Sequence, residues 1–266
     1  MKLSIITINY NNKTGLQRTI DSVICQTWRD FEWIIIDGGS TDGSKELIEQ
    51  YQDHFAYWCS EPDKGVYNAM NKGIAKAKGD YLQFLNSGDA LHNEDVLFQV
   101  FEEGFNADIF YGDLNLLGKN GFNRIIYPDH LTFPFFLSKS IGHPSSFIKT
   151  SLLKERNYSE KYKIVSDWYR FMEFYLESRY FSHINLVIVD FDNTGISSTN
   201  HVLEMKERNC VLEELLGKKN KKWITDSVML QGFYEEAENY GYLQIRDSGG
   251  WKMRVLYNFI KLLKKF

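Results

Sequence analysis

The 266-residue chain has little of several things, and each shortage closes a class of function. Its three cysteines, Cys25, Cys59 and Cys210, are odd in number and far apart. With no CxxC pair they spell neither a disulfide framework nor a thiolate zinc site, and reduced thiols point to the cytoplasm. Positive charge is not in excess. The formal net charge of −4 excludes a generally basic nucleic-acid binder, which needs a cationic footprint to displace counterions from phosphates. No stretch approaches the roughly 20 apolar residues of a membrane-spanning helix. The opening MKLSIITINYNN is too short for a signal peptide and ends in asparagines rather than a small-residue cleavage site, so it reads as a strand. That strand runs into NYNNKTG rather than GxGxxG, which disfavours a dinucleotide-binding dehydrogenase. Repeats and low-complexity tracts are also missing.

What is present is ordinary in bulk, with 43% hydrophobic and 25% charged residues, as expected of a folded globular protein. The length suits one main α/β domain with an appendage. Leu3–Ile8 is a β-branched run that reads as a strand buried on both faces. Leu16, Ile20, Val23 and Ile24 then recur at helical spacing, with Thr14 as a possible cap. Further strands are expected at Trp33–Ile36, Ala56–Ser60 and Tyr81–Leu85. Helices are expected from Ser44 and along the face Val66, Ala69, Met70, Ile74 and Ala77. This alternation implies βαβ units with parallel pairing, whose loops converge at the carboxyl ends of the strands. After residue 106 the pattern changes to a strand and hairpin, a helix around Trp168–Tyr175, a strand over INLVIVDF and a charged helix over 203–222. We expect a main domain over 1–200 and a helical C-terminal extension over 201–266.

The strand ends bring together Tyr10 and Asn11, Asp37, Asp63 and Lys64, and Asp89. Asp37 is suited to accept hydrogen bonds from a nucleobase edge or a ribose, and Lys64 to offset phosphate charge. Each acid alone is as easily a turn residue, because Asp and Gly favour turns. In Asn86-Ser87-Gly88-Asp89, one carboxylate among small neighbours suits a divalent cation that keeps its other positions for water and phosphate oxygens. The competing reading is a plain turn with Asp89 capping the next helix.

Taken together, SIITINYNN, IIIDGGSTDGS, SEPDKGVYNAMNKGIAKAKGDYLQFLNSGD, GHPSSFIK and VSDWYRFM resemble the family 2 glycosyltransferases over roughly the first 200 residues. The resemblance implies the GT-A fold, a Rossmann-type mixed sheet flanked by helices. It also implies a nucleotide-sugar donor with UDP as the default, Mn²⁺ or Mg²⁺, and inversion at the anomeric carbon. Its nucleotide positions fall on Thr7, Tyr10, Asn11, Asp37, Asp63 and Lys64. Its metal-binding acidic loop falls on Asn86–Asp89. There Asp89 is the carboxylate for metal, and Asn86, Ser87 and Gly88 fall in the donor-sugar or acceptor pocket. The loop departs from the usual acid-rich pattern at Asn86 and Gly88, as does Gly38 beside Asp37. Asp167 matches the general base, for which the bland reading is an acid favoured by a helix N-terminus. His143 is a pocket candidate, although a lone His is more often structural.

The acceptor implied is a saccharide or a lipid-linked saccharide in cell-surface polysaccharide or glycolipid synthesis. The tail WKMRVLYNFIKLLKKF sets Trp251, Val255, Phe259, Leu262, Leu263 and Phe266 along one side and carries five basic residues. That composition suits either docking on the main domain or peripheral contact with the inner face of an anionic membrane. Rival readings are a nucleotidyltransferase, a glycosidase, which needs two carboxylates flanking the sugar bond, and a nucleotide-sugar-binding protein without catalysis.

Overall fold

In the computed structural model, residues 1–102, 106–118, 121–192 and 200–217 are described. The chain divides into two units, Met1–Asn209 and Cys210–Phe266. The first holds the sheet and its cleft, and the expected basic tail at 251–266 lies outside the described residues.

The β-branched runs form strands because both faces are covered. β1 (Leu3–Asn9) is buried at every position and β2 (Phe31–Asp37) at all but its first. They pair in parallel, and β3 (Tyr57–Ser60) and β4 (Tyr81–Phe84) extend the sheet in parallel on either side. The connecting helices are α1 (Lys13–Ile24), α2 (Ser44–Gln50) and α3 (Val66–Lys76). Helix α1 lays Leu16, Ile20 and Val23 on Leu3, Ile5 and Trp33, the amphipathic packing that its spacing predicts.

Two local expectations are corrected. The cap of α1 is Asn12, whose side chain accepts from the Gly15 amide at 3.0 Å, while Thr14 sits inside the helix. In α3, Tyr67 rather than Val66 faces inward, since Val66 is 37% exposed.

Beyond β4 come β5 (Ala90–Leu91) and α4 (Val96–Glu102), then the expected strand and hairpin, β6 (Ile109–Gly118) and β7 (Gly121–Ile125), and three elements not read from sequence, α5 (Phe133–Ser138), β8 (Ser146–Lys149) and α6 (Thr150–Glu155). Then come α7 (Ser166–Leu176), β9 (Phe181–Phe191) and α8 (His201–Leu216). The described residues form one nine-stranded mixed sheet in the order β3-β2-β1-β4-β8-β6-β9-β5, with β7 as a hairpin partner of β6. Among them, no helix is long and apolar enough to cross a membrane.

Candidate active site

The parallel register sets Asn9 beside Asp37 and Asp37 beside Ser60, so three strands stop at the same edge. There the chain surrounds a cleft of about 990 Å³. Of the residues singled out from sequence, Tyr10, Asp63, Asn86, Ser87, Asp89, His143 and Asp167 line it. Thr7, Asn11, Asp37, Lys64 and Gly88 do not.

Thr7 and Asp37 lie behind the cleft wall rather than on it. Thr7 is wholly buried, and its hydroxyl accepts the Trp33 indole N–H at 3.0 Å. Its side chain therefore belongs to the core. Asp37 is also wholly buried. Its oxygens accept from Asn9 Nδ2 at 2.7 Å, the Ser40 hydroxyl at 2.5 Å, the Ser40 amide at 2.9 Å and the Ser60 hydroxyl at 2.6 Å. Burial alone would raise its pKa, but these donors outweigh it and hold the carboxyl below its ordinary value. Asp37 thus braces the wall, and Asn9 is the member of that cluster which lines the cleft.

Asn11 also braces, accepting the Thr41 amide at 2.8 Å. Lys64 is exposed at the rim. Gly38, where an acid was expected, leaves room for a neighbour: a Cβ there would stand 2.6 Å from Asp63 Oδ2.

The Asn86–Asp89 loop is stitched to α1. Thr19 Oγ1 donates to the Asp89 carbonyl at 2.7 Å and accepts the Gly88 amide at 3.0 Å. Asn12 Nδ2 donates to the Ser87 carbonyl at 3.1 Å, and the Arg18 guanidinium to the Gly88 carbonyl at 2.8 Å. Asp89 leads into β5, so it does not cap a helix. Its carboxylate is 3% exposed and accepts the Asp192 amide at 3.1 Å. Burial, reinforced by the negative charge of Asp192, pushes its pKa up to about 7.

Asp192 is a cleft residue that sequence reasoning missed. Gly88 has φ +108°, and a Cβ there would stand 2.6 Å from Asp192 Oδ2. Only glycine lets that carboxylate lie over the loop. Asn86 Oδ1 is buried without a hydrogen-bond partner among the described residues. Asp89, Asp192 and Asn86 thus present hard oxygen donors, and the two carboxylates repel one another. That donor set fits Mn²⁺ or Mg²⁺, which need only one or two protein carboxylates when a diphosphate supplies the rest. Among the described residues no cluster of three or more His, Cys, Asp or Glu forms a self-sufficient metal cage.

Across the cleft, Asp167 stands in the first turn of α7, 25% exposed at its side chain. Its Oδ1 accepts from the Tyr67 hydroxyl at 2.8 Å, and that hydroxyl also lies 2.5 Å from the Ile164 carbonyl. Glu207 fixes the preceding loop by accepting the Lys163 and Ile164 amides, both at 2.9 Å. His143 Nδ1 is 4.0 Å from Asp167 Oδ2, while Nε2 meets the Tyr158 hydroxyl at 2.9 Å and the ring stacks on Phe84. Burial depresses the His143 pKa against the pull of Asp167. Burial thus favours the uncharged imidazole, which works against an ion pair between His143 and Asp167. Tyr67, Asn9 and Asp192 were not singled out from sequence. Tyr67 lay inside the GVYNAMNKG stretch, which was the signal available for it.

The model of glycosyl transferase family 2 matches residues 4–117. An uncharacterized glycosyltransferase of Mycobacterium tuberculosis (strain ATCC 25618 / H37Rv), Rv1514c, is 38% identical over 209 residues, covering 74% of this chain and 77% of that protein. Staphylococcus aureus TarS 1-349, solved in complex with UDP-GlcNAc, superposes with a TM-score of 0.65 at 17% identity, over 98% of this chain and 79% of that one. The mannosyltransferase PcManGT from Pyrobaculum calidifontis, solved with GDP-Man and Mn²⁺, gives 0.61 at 11% identity, over 100% and 81%. The curled mixed sheet with its flanking helices is the GT-A arrangement of these structures, as the sequence led us to expect.

Proposed function

Because the chain belongs to glycosyl transferase family 2, we propose that it transfers a sugar from a nucleoside-diphosphate sugar, with UDP as the nucleotide, to an acceptor hydroxyl with inversion. Saccharide or lipid-linked acceptors of cell-surface polysaccharide or glycolipid synthesis are the substrate class. The observation that carries the reading is the opposition, across one cleft, of a hydrogen-bonded carboxylate at Asp167 and the Asn86–Asp89 loop.

The nucleoside lies against Tyr10, Asn9 and Asp63, with Asp37 and Asn11 holding the wall behind. Asp167 accepts the proton of the acceptor hydroxyl as its oxygen attacks the anomeric carbon. The bond from that carbon to the diphosphate oxygen breaks on the opposite face, so a single displacement inverts the centre. Asp89 and Asp192, with Asn86 beside them, are the residues that would hold Mn²⁺ or Mg²⁺. A bound cation there supplies charge neutralisation for the departing diphosphate. Tyr67 fixes the orientation of Asp167, and Ser87 and Gly88 keep the loop low enough for a diphosphate to approach.

Asp167→Asn tests the assignment. We expect UDP affinity to be retained while kcat falls at least about 100-fold, the lower end of what general-base catalysis contributes. Transfer at the wild-type rate by this variant would remove Asp167 from the mechanism. The nucleotidyltransferase alternative is separated by product, since it releases pyrophosphate rather than UDP.

A further inference from the structure

The wall of the cleft built by β6, β7 and β9 has a composition that the donor chemistry does not use. Residues directly opposite in paired strands share a face. Leu114 pairs with Ile125, and Leu116 pairs with Phe191. All four line the same cleft as Asp167 and Asp89, and Tyr127 joins them from the segment after β7. Leu116, Ile125, Tyr127 and Phe191 are only half-buried, so the apolar surface is open to the cleft.

Several alternate residues of the same strands face away and are engaged in polar contacts. Asp113, wholly buried, accepts from Arg124 Nη2 at 2.7 Å and from the Tyr127 amide at 3.0 Å, and lies 3.0 Å from His183 Nε2. Asn115 donates to Asp190 at 2.8 Å. The Tyr111 hydroxyl donates to the Pro128 carbonyl at 2.6 Å. These ties hold the wall in place. Over the part of the wall that lines the cleft, Asp113, Asn115 and Arg124 turn out of it while Leu114, Leu116, Ile125 and Phe191 turn into it. A saccharide would find there a ladder whose amides and carbonyls already pair strand to strand and one tyrosine hydroxyl, whereas an alkyl or aryl group would displace water from exposed leucine, isoleucine and phenylalanine.

We infer that the acceptor carries an apolar group, an alkyl chain or aromatic ring, close to its attacking hydroxyl, and that Leu114, Leu116, Ile125 and Phe191 seat it. This rests on the transferase reading for the identity of the acceptor, and the test separates the two. The probes are n-alkyl β-glucosides from methyl to octyl, kept below micelle formation, with binding to the full chain read by intrinsic fluorescence and UDP affinity measured in the same samples. We expect affinity to rise roughly two- to fourfold per added methylene, the upper value being that of a fully buried CH₂. The slope should flatten in Leu116→Asn and in Ile125→Asn and persist in Leu116→Met. Ile125 lies at the end of an edge hairpin, so Ile125→Asn keeps the test open if Leu116→Asn fails to fold.

UDP binding with a flat alkyl series overturns the inference and leaves the donor site standing. A rising series without UDP binding supports the apolar wall and counts against the donor reading alone. A rising series unaffected by either asparagine variant also overturns the inference, because the chain is then bound elsewhere.

Discussion

Asp89→Asn in the metal-free protein should cost function and add stability, and the structure gives the size of the effect. The carboxyl is 3% exposed, and its pKa is raised from 3.8 to about 7. The native state therefore holds a proton that the unfolded chain has already lost, so stability falls as pH rises from about 4 to about 7 and is level above that. A displacement of about three pH units corresponds to roughly 4 kcal/mol at full ionisation, at 1.36 kcal/mol per unit. Between pH 5 and pH 8 the loss is roughly 2 to 3 kcal/mol, because part has already accrued by pH 5. An asparagine keeps the shape and still accepts the Asp192 amide, but it never ionises. Urea unfolding of both proteins at pH 5 and pH 8, without divalent cation, reads this group together with its coupling to Asp192 and cancels the titrations that the two proteins share. We expect the variant to gain on the wild type by a few kcal/mol between the two pH values. Adding Mn²⁺ at pH 8 should stabilise the wild type selectively, since a cation replaces the missing proton. An unchanged stability difference between wild type and variant at the two pH values would refute the argument that Asp89 is held against its own charge.

Three other contacts set measurable outcomes. Tyr67→Phe removes the hydroxyl that orients Asp167, and a hydrogen bond to a charged group is worth about 1.5 kcal/mol or more; steady-state kinetics should show kcat reduced about tenfold with the donor KM unchanged. Thr7→Val deprives the buried Trp33 indole of its acceptor, so denaturant titration should show a loss of about 1–3 kcal/mol, while UDP affinity stays within about twofold. In Asp113→Asn the half-exposed Arg124 can regain water, which limits the loss to about 1–3 kcal/mol by the same titration, and the slope of the alkyl-glucoside series should fall with it as the wall loosens.

The strands and first helices were readable because their signals are local. Runs such as LSIITI and WIII describe both faces of a buried parallel strand at once, and Asp37-Gly38-Gly39 or Asn86-Ser87-Gly88-Asp89 mark where each run must turn. The brackets between those turns were not readable. Trp33 reaches Thr7 across 26 residues, Tyr67 reaches Asp167 across 100, and the Asp192 amide reaches Asp89 across 103. These separations are set by strand order in the sheet, and the placement of β9 beside both β5 and β6 is a property of the whole topology. Asp192 carries no local sign of its role, since VDFDN is an ordinary strand end.

Asp37 and Asp89 show why position at a strand end is not enough to assign chemistry. Both are buried aspartates at the same edge of the sheet, each beside a glycine. Asp37 is met by two serine hydroxyls, an asparagine amide and a backbone amide, and its pKa goes down. Asp89 receives the Asp192 amide and the field of a second carboxylate, while Arg18 spends its guanidinium on the Gly88 and Asp190 carbonyls, and its pKa goes up. A carboxylate whose protein donors already satisfy it has little left to offer a ligand, and it works as a brace. One left costly by its own fold is stabilised by whatever positive charge enters the cleft, and that deficit is the physical ground for proposing Asp89 as the residue that meets a cation.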